Sequence, residues 1–393
     1  MAATVDLPTT DEMIGRAREL VPLLKSRAGE TERLRRVPDE NIDAFRRAGL
    51  FRIFVPKRYG GYQMDYATTQ LVLCTELGCA CGSSAWVQSV LAIHGWVVGM
   101  FPKAAQDDAW GTGPDTPIAS AYTASTGTAT PVDGGYILNG DWQFSSGVHA
   151  GEWLTVMAAL PVEGGINQFF FLVPKKDWTI LDTWYAPGLR GTGTNDVRLT
   201  NAVVPASHVL NVSLSDGRAT PGSKLHDSYL YRLPIFSVFS WCLGPPAIGI
   251  ARGALDAFIA HSAARPDRAG SPVRQLRIAK SAAEIDAAEA LLEKNAAAID
   301  RGVAARQSPS PQQRAKWRRD MAFAVALCVR AVGRLSAVMG AHGMIDQHPV
   351  QRAARDVNAL ANHTGLVWDI QGLFYAKLAL GLDPLEPGAP LPL

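Results

Sequence analysis

Cysteine is scarce: five residues (Cys74, Cys79, Cys81, Cys242 and Cys328) are spread over 393 positions. They are too few and too scattered for a disulfide framework, and the odd count fits a reducing compartment. They read as small buried hydrophobes. Cys79-Ala80-Cys81 is not a CxxC, and no second Cys or His pair stands nearby at ligand spacing, so no metal site is expected. Charge is also scarce. Asp, Glu, Lys and Arg make up 19% of the chain, against about 25% in ordinary proteins, and the formal net charge is +2. This excludes a highly charged disordered chain and gives no reason to expect nucleic acid or an anionic membrane as partner. Long apolar runs are missing too. In the C-terminal half the most apolar stretch is placed at Met321 to Val329 and ends at Arg330, whereas a spanning helix needs about 20 residues. Met1 to Thr10 has neither a basic nor an apolar segment of the secretory kind. A cytoplasmic protein without membrane contact is expected.

The familiar chemical signatures are absent as well. Gly188 to Asp196 contains a GxG, but Asp196 stands where a third glycine would be, and the segment leads into a strand pattern. No dinucleotide site of the βαβ kind is therefore expected, and there is no P-loop, GxSxG or HExxH.

What is present is 47% hydrophobic residues, enough for a sizeable core, arranged in three zones. The first, 1–115, is helical in period: Met13, Ile14, Ala17, Leu20, Val21 and Leu24 recur at helical spacing after Thr9-Thr10-Asp11. The second, 116–232, has short runs rich in β-branched and aromatic residues, separated by Asp133-Gly134-Gly135, Asn139-Gly140 and Gly164-Gly165. It predicts an antiparallel barrel or sandwich. The third, 233–393, predicts a four-helix bundle from Ala-rich segments 247–264, 275–302, 309–340 and 350–379, followed by an irregular Pro-rich tail. The fold class is mostly α with a central β domain.

Several residues stand out within this frame. His94 lies in the apolar stretch Leu91 to Trp96, and His363 follows Ala359-Leu360-Ala361-Asn362. Each alone reads as a core histidine as readily as a catalytic one. Ser145-Ser146-Gly147 closes a strand pattern; its hydroxyls suit either a planar heterocycle or a local turn. Arg352 and Arg355-Asp356 stand one turn apart and read first as a structural ion pair.

Taken in order, these motifs resemble the acyl-CoA dehydrogenase superfamily over about residues 10–380. The segments are Val55-Pro56-Lys57-Arg58-Tyr59-Gly60-Gly61, Gly82-Ser83-Ser84-Ala85-Trp86, His94-Gly95-Trp96, Trp142-Gln143-Phe144-Ser145-Ser146-Gly147, Pro187-Gly188-Leu189-Arg190-Gly191-Thr192-Gly193-Thr194 and Gln351-Arg352-Ala353-Ala354-Arg355-Asp356. The chain is most similar to that superfamily's flavin-dependent monooxygenases, among them steroid-ring and phenol hydroxylases. In the dehydrogenases of most similar layout a glutamate base follows the Arg of the Arg-Asp pair by nine residues; here that position is Thr364. A threonine hydroxyl cannot remove an α-proton at neutral pH.

The resemblance implies a helical domain, a β-barrel and a four-helix bundle, assembled as a homotetramer. It implies the oxygenase component of a two-component monooxygenase that takes reduced flavin (FADH2 or FMNH2) from a separate NAD(P)H-dependent reductase. With O2 this would form a C4a-hydroperoxyflavin that hydroxylates an aromatic small molecule: a phenol, an indole or a fused-ring compound. Oxidation of nitrogen or sulfur, or acyl-CoA dehydrogenation, are the alternatives. By the same resemblance Ser146 is the hydroxyl at flavin N5, and His363 is the proton donor or positioner at the peroxide. His94 and Ser120 hold the phenolic hydroxyl, with His94 as its base. Ser145, Thr192 and Thr194 flank the flavin. Arg265 takes a phosphate, although Pro266-Asp267-Arg268 departs from the family's pattern. Trp86, Trp96, Tyr122 and Trp241 are the expected pocket aromatics.

Overall fold

The computed structural model describes residues 7–383; the Pro-rich tail expected beyond Asp383 lies outside them. Five helices come first: α1 (Thr10–Leu34), α2 (Asp39–Arg47), α3 (Tyr66–Ala80), α4 (Gly82–Val98) and α5 (Lys103–Ala109). A capping box starts α1: Glu12 N–H donates to Thr9 Oγ1 at 3.2 Å, and Thr9 N–H donates to Glu12 Oε2 at 2.7 Å. These two bonds satisfy donors that a bare helix start leaves open. α4 carries no Asp, Glu, Lys or Arg, and all its residues are buried, as a helix apolar on every face must be.

Among the described residues nine strands follow: β1 (Ile118–Ala121), β2 (Thr123–Ala124), β3 (Thr128–Val132), β4 (Gly135–Ser145), β5 (Trp153–Val162), β6 (Gly165–Pro174), β7 (Trp178–Leu181), β8 (Asn195–Pro205) and β9 (Val209–Asn211). They form two sheets, ordered β1-β5-β6-β9 and β2-β4-β8-β7, with β3 added on β4. All pairings are antiparallel except β1 with β5, which is parallel and sets Ser120 opposite Thr155. The antiparallel expectation fails only there.

The last zone holds α6 (Ile235–Val238), α7 (Pro246–Ala263), α8 (Pro266–Ala269), α9 (Pro272–Ala304), α10 (Pro311–Ser336), α11 (Pro349–Ala361) and α12 (Trp368–Ala379). Three long helices stand where the sequence predicts them, but the fourth predicted helix, 350–379, is two. It breaks between Asn362 and Val367, where Gly365 N–H donates to His363 Nδ1 at 3.1 Å. A side-chain acceptor there competes with the helical ladder for a backbone donor. α3 and α7 touch backbone to backbone: a Cβ on Gly249 would lie 2.7 Å from Gly78 Cα. The stretch Ile235–Ala263 is longer than the 321–329 run singled out above. It is long and apolar enough to span a membrane, yet 83% of its most apolar window is buried inside the fold, as a core segment would be.

Candidate functional site

A cavity of about 500 Å³ lies where α4, β1, β4, the 184–194 segment, α6 and the α11–α12 break meet. One end carries hydroxyls. Trp86 Nε1–H, from α4, donates to Ser146 Oγ at 3.0 Å. Ser146 Oγ lies 2.8 Å from Thr194 Oγ1, which lies 2.6 Å from Thr192 Oγ1. Thr192 Oγ1 donates to the Leu189 carbonyl at 2.8 Å. A bulge in β4 between Trp142 and Ser145 brings Ser146 to this wall. The bulge holds Phe144 at φ +64°, a left-handed backbone that an aromatic residue rarely adopts, and leaves its ring 57% exposed at the cavity's edge.

The 187–194 segment is held from behind by α11. Asp356 Oδ1 accepts from Leu189 N–H at 2.7 Å, and Arg355 Nη1 donates to Pro187 O at 2.9 Å. The ion pair expected between Arg352 and Arg355-Asp356 is differently wired: both arginines face Glu32 on α1, Arg352 at 3.4 Å, while Asp356 serves the backbone. Burial pushes the Asp356 carboxyl up to about 6, against the pull of the Leu189 N–H and Arg355.

His363 closes this end, its ring 6.0 Å from that of Trp86. It is enclosed by protein, although the cavity gives it some accessible surface. Burial lowers it to about 4, so it is neutral at pH 7. Its Nδ1 accepts from Gly365 N–H, so the ring proton is on Nε2.

The other end is apolar. Ile235, Phe236, Phe239, Leu243 and Val90 line it with Tyr122 and Ser120. Tyr122 stacks on Phe170 at 4.5 Å. Its hydroxyl lies 3.1 Å from Thr155 Oγ1, which itself donates to Ala119 O at 3.3 Å, so Tyr122 is the donor to Thr155. His94 stands behind this wall, with ring centres 6.0 Å from Tyr122 and 5.9 Å from Phe239. Its Nδ1 faces Val90 O at 2.6 Å; a carbonyl only accepts, so Nδ1 carries the proton. Nε2 is then a bare acceptor, buried and without a hydrogen-bond partner among the described residues. Burial pulls His94 down to about 4, while the Val90 and Ile118 carbonyls oppose the shift. It is a weaker base than the free imidazole assumed from sequence.

The fold thus brings Trp86, Ser120, Tyr122, Ser146, Thr192, Thr194 and His363 to one cavity, with His94 one layer behind. Four more expected residues are not at its wall. Ser145 alternates away from Ser146 into the core, where its Oγ has no partner among the described residues. Trp96, farther along α4, packs on Tyr66 at 4.8 Å and donates to Leu230 O. Trp241 is fully buried at the start of the bundle. Arg265 is exposed beyond the far end of α7, a helix about 27 Å long. Sequence reasoning missed Trp184, Phe239 and the apolar wall around Phe239. Their signal is the run Leu233-Pro234-Ile235-Phe236 just before the bundle. Thr364, in place of a glutamate base, does line the cavity.

Known proteins share this fold. The family model described as acyl-CoA dehydrogenase, N-terminal domain, matches residues 15–113, and that described as acyl-CoA dehydrogenase, C-terminal domain, matches 241–368. The FADH(2)-dependent resorcinol hydroxylase, oxygenase component, of Rhizobium sp. (strain MTP-10005) is 35% identical over 95% of this chain and 95% of its own length. The flavin-dependent monooxygenase oxygenase subunit HsaA of Rhodococcus jostii is 34% identical over 86% of this chain and 91% of its own. Among solved structures, 3-HSA hydroxylase from Rhodococcus sp. RHA1 superposes with a TM-score of 0.91 at 31% identity, covering 96% of this chain and 99% of that one. XiaF from Streptomyces sp., solved with FADH2 and glycerol, gives 0.87 at 26% identity over 97% and 98% of the two chains.

Proposed function

The chain belongs to the acyl-CoA dehydrogenase family, on the branch of flavin-dependent monooxygenase oxygenase components, and we propose that its substrate is a free phenol held by His94. It works with reduced flavin, of which FADH2 is the form named for its relatives, and with dioxygen. Its electrons come from a partner reductase component; we take this to be an NAD(P)H-dependent flavin reductase, since the chain has no dinucleotide fingerprint of its own.

The cavity's residues fit such a cofactor. A planar heterocycle with polar edges suits the hydroxyl-bearing end, where Ser146, Thr192, Thr194 and Trp86 would hold it. When bound, reduced flavin supplies the activation of oxygen. The chain's residues orient the partners, exclude water and handle protons. His363 presents a neutral Nε2–H, a donor at the cavity wall. Trp86, Tyr122 and Phe239 keep the reacting space dry.

The observation that carries the phenol reading is the orphaned Nε2 of His94. A buried acceptor without a donor costs about 1–3 kcal/mol, and such a group directly behind a cavity wall can be completed by a ligand that reaches it. A phenolic O–H is that donor. To reach Nε2 it would have to pass the Tyr122 and Phe239 rings that pack on His94, and Ser120 on β1 lines the same end of the cavity. With its basicity lowered by burial, His94 holds the hydroxyl by hydrogen bond and takes its proton as the ring is attacked. At the opposite end Thr364, beside His363, stands where the dehydrogenases of similar layout carry a carboxylate base, which disfavours acyl-CoA chemistry.

The assembly we propose is a homotetramer, supported by the exposed apolar side chains Phe323, Trp368, Leu373 and Leu380 on and just beyond α10 and α12. There Arg265 would serve the flavin of a neighbouring copy. The test combines the protein with reduced FAD or FMN, ¹⁸O₂ and a panel of phenols with their methyl ethers. One labelled oxygen should enter the phenols and not the ethers. Stoichiometric hydrogen peroxide with every phenol, and no labelled product, would overturn the proposal.

A further inference from the structure

Twenty of the described residues line the cavity, and none of them is an Asp, Glu, Lys or Arg. The histidines do not supply a charge in their place. Burial holds His363 at the wall and His94 behind it near 4, so both are neutral at pH 7. The more open polar groups of the lining are the amides of Gln143 and Asn362 and the hydroxyls of Thr123 and Thr364, which do not ionise either. Cations stand outside the wall, and their partners lie elsewhere. Arg35 donates to Trp184 O at 3.1 Å, but its guanidinium is paired with both oxygens of Asp182, at 2.8 and 2.9 Å, and lies over the Tyr185 ring at 3.9 Å. Arg352 and Arg355 face Glu32, and exposed Arg190 adds its charge to the same carboxylate. Arg232, three residues before Ile235, is not part of the lining.

An anion in this space would lose its water and meet no counter-charge, and buried charges persist only when paired. The rule extends to the phenol's own oxygen. His94 Nε2 offers a lone pair alone. A phenolic O–H completes it, whereas a phenolate sets lone pairs against a lone pair. We infer that the substrate is a neutral phenol: it enters with its hydroxyl protonated, and its other substituents carry no negative charge. The cavity rejects phenolates and phenols that bear a carboxylate. The inference rests on the phenol reading of the site and names the class within it. The wall around Ile235, Phe236 and Phe239 offers no side-chain donor or acceptor, so it meets a hydrocarbon portion of that substrate.

Hydroxyphenyl acids and their methyl esters are alike in shape and differ in charge. They test this on the full-length protein with reduced FAD and dioxygen. For each pair, kcat/KM of the ester should exceed that of the acid roughly 100-fold or more, the effect of burying an uncompensated charge. Phe236→Arg sets a guanidinium at a half-buried wall position, where its stem can lie along apolar surface. It should raise kcat/KM for the acids and shrink the ratio by about tenfold or more, while Phe236→Met keeps the wild-type ratio. If Phe236→Arg does not fold, the wild type decides by pH. For a halogenated phenol that ionises near neutrality, kcat/KM should fall about tenfold per pH unit above that phenol's own pKa. For a phenol that ionises at about 10, it should stay level over the same range. Acids accepted as well as esters, or phenolate hydroxylated as well as phenol, overturns the inference and leaves the phenol reading standing. Oxidation of no phenol in the panel, acid or ester, overturns the phenol reading itself.

Discussion

The two ends of the cavity are built on opposite plans. At the hydroxyl end the polar groups lining the wall satisfy one another: Trp86, Ser146, Thr194 and Thr192 form an unbroken series of donors and acceptors ending on a backbone carbonyl. At the apolar end Tyr122 is satisfied by Thr155, but His94 Nε2 is left bare. A completed end suits a ligand that is the same in every turnover. An unfinished end suits a ligand whose own hydroxyl completes it. The two histidines carry the contrast further. Both are neutral at pH 7, yet the backbone sets them in opposite tautomers. Val90 O fixes the proton of His94 on Nδ1, and Gly365 N–H fixes that of His363 on Nε2. One end therefore meets a ligand with an acceptor, the other with a donor.

The strongest blow to this division is His94→Ala. It should lower phenol hydroxylation roughly 100-fold or more, the usual worth of a placed base, with flavin affinity unaltered. Product yield against peroxide release measures it, and equal losses of hydroxylation and flavin binding would merge the two ends into one. His363→Leu removes the donor at the opposite end. It should cut the hydroxylated fraction by about tenfold and leave the KM for the phenol near the wild-type value. A raised KM instead would put His363 on the substrate.

A third expectation concerns pH. Both histidines titrate near 4 in the folded protein, below the unfolded value of about 6.5. The folded state binds fewer protons there, so stability is fully present above about pH 6.5 and is lost as pH falls toward 4. His363→Leu should flatten that loss in the melting temperature measured between pH 4 and 7. The smallest effect belongs to Asp356, raised to about 6. A raised carboxyl contributes stability below its unfolded pKa and loses it as pH rises through 6. Asp356→Asn should therefore gain on the wild type between pH 4 and 7, by calorimetry at matched pH. A constant difference across that range would mean that Asp356 does not titrate there.

Much of this was legible in the sequence. The helix–strand–helix order follows from the change of hydrophobic period, and Thr9 and Glu12 mark the start of α1 by their spacing. β3, β7 and β9 were not legible, because short or exposed edge strands lack a buried alternating face. The break between α11 and α12 was hidden because its cause is a side chain capturing a backbone donor. The residues of the site could be singled out by resemblance, but not their surroundings. Trp96 and His94 share one helix, and nothing in an all-apolar pattern says that neither reaches the cavity wall while Trp86 does. The tautomers depend on which backbone group each ring meets, and that is decided only in three dimensions.

The parallel pairing of β1 with β5 carries a consequence for how the protein is made. Ser120 reaches its place only when Ile118–Ala121 docks beside Trp153–Val156, and the whole β2–β4 hairpin system is synthesised between them. Parallel strands cannot be joined by a tight turn, and such distant contacts form slowly. The cavity also draws on Trp86 at one extreme and Thr364 at the other. A ribosome that has emitted the helices and both sheets has still not made a site. The wall is complete only with α11 and the turn after it, and a nascent chain released earlier lacks that side of the pocket.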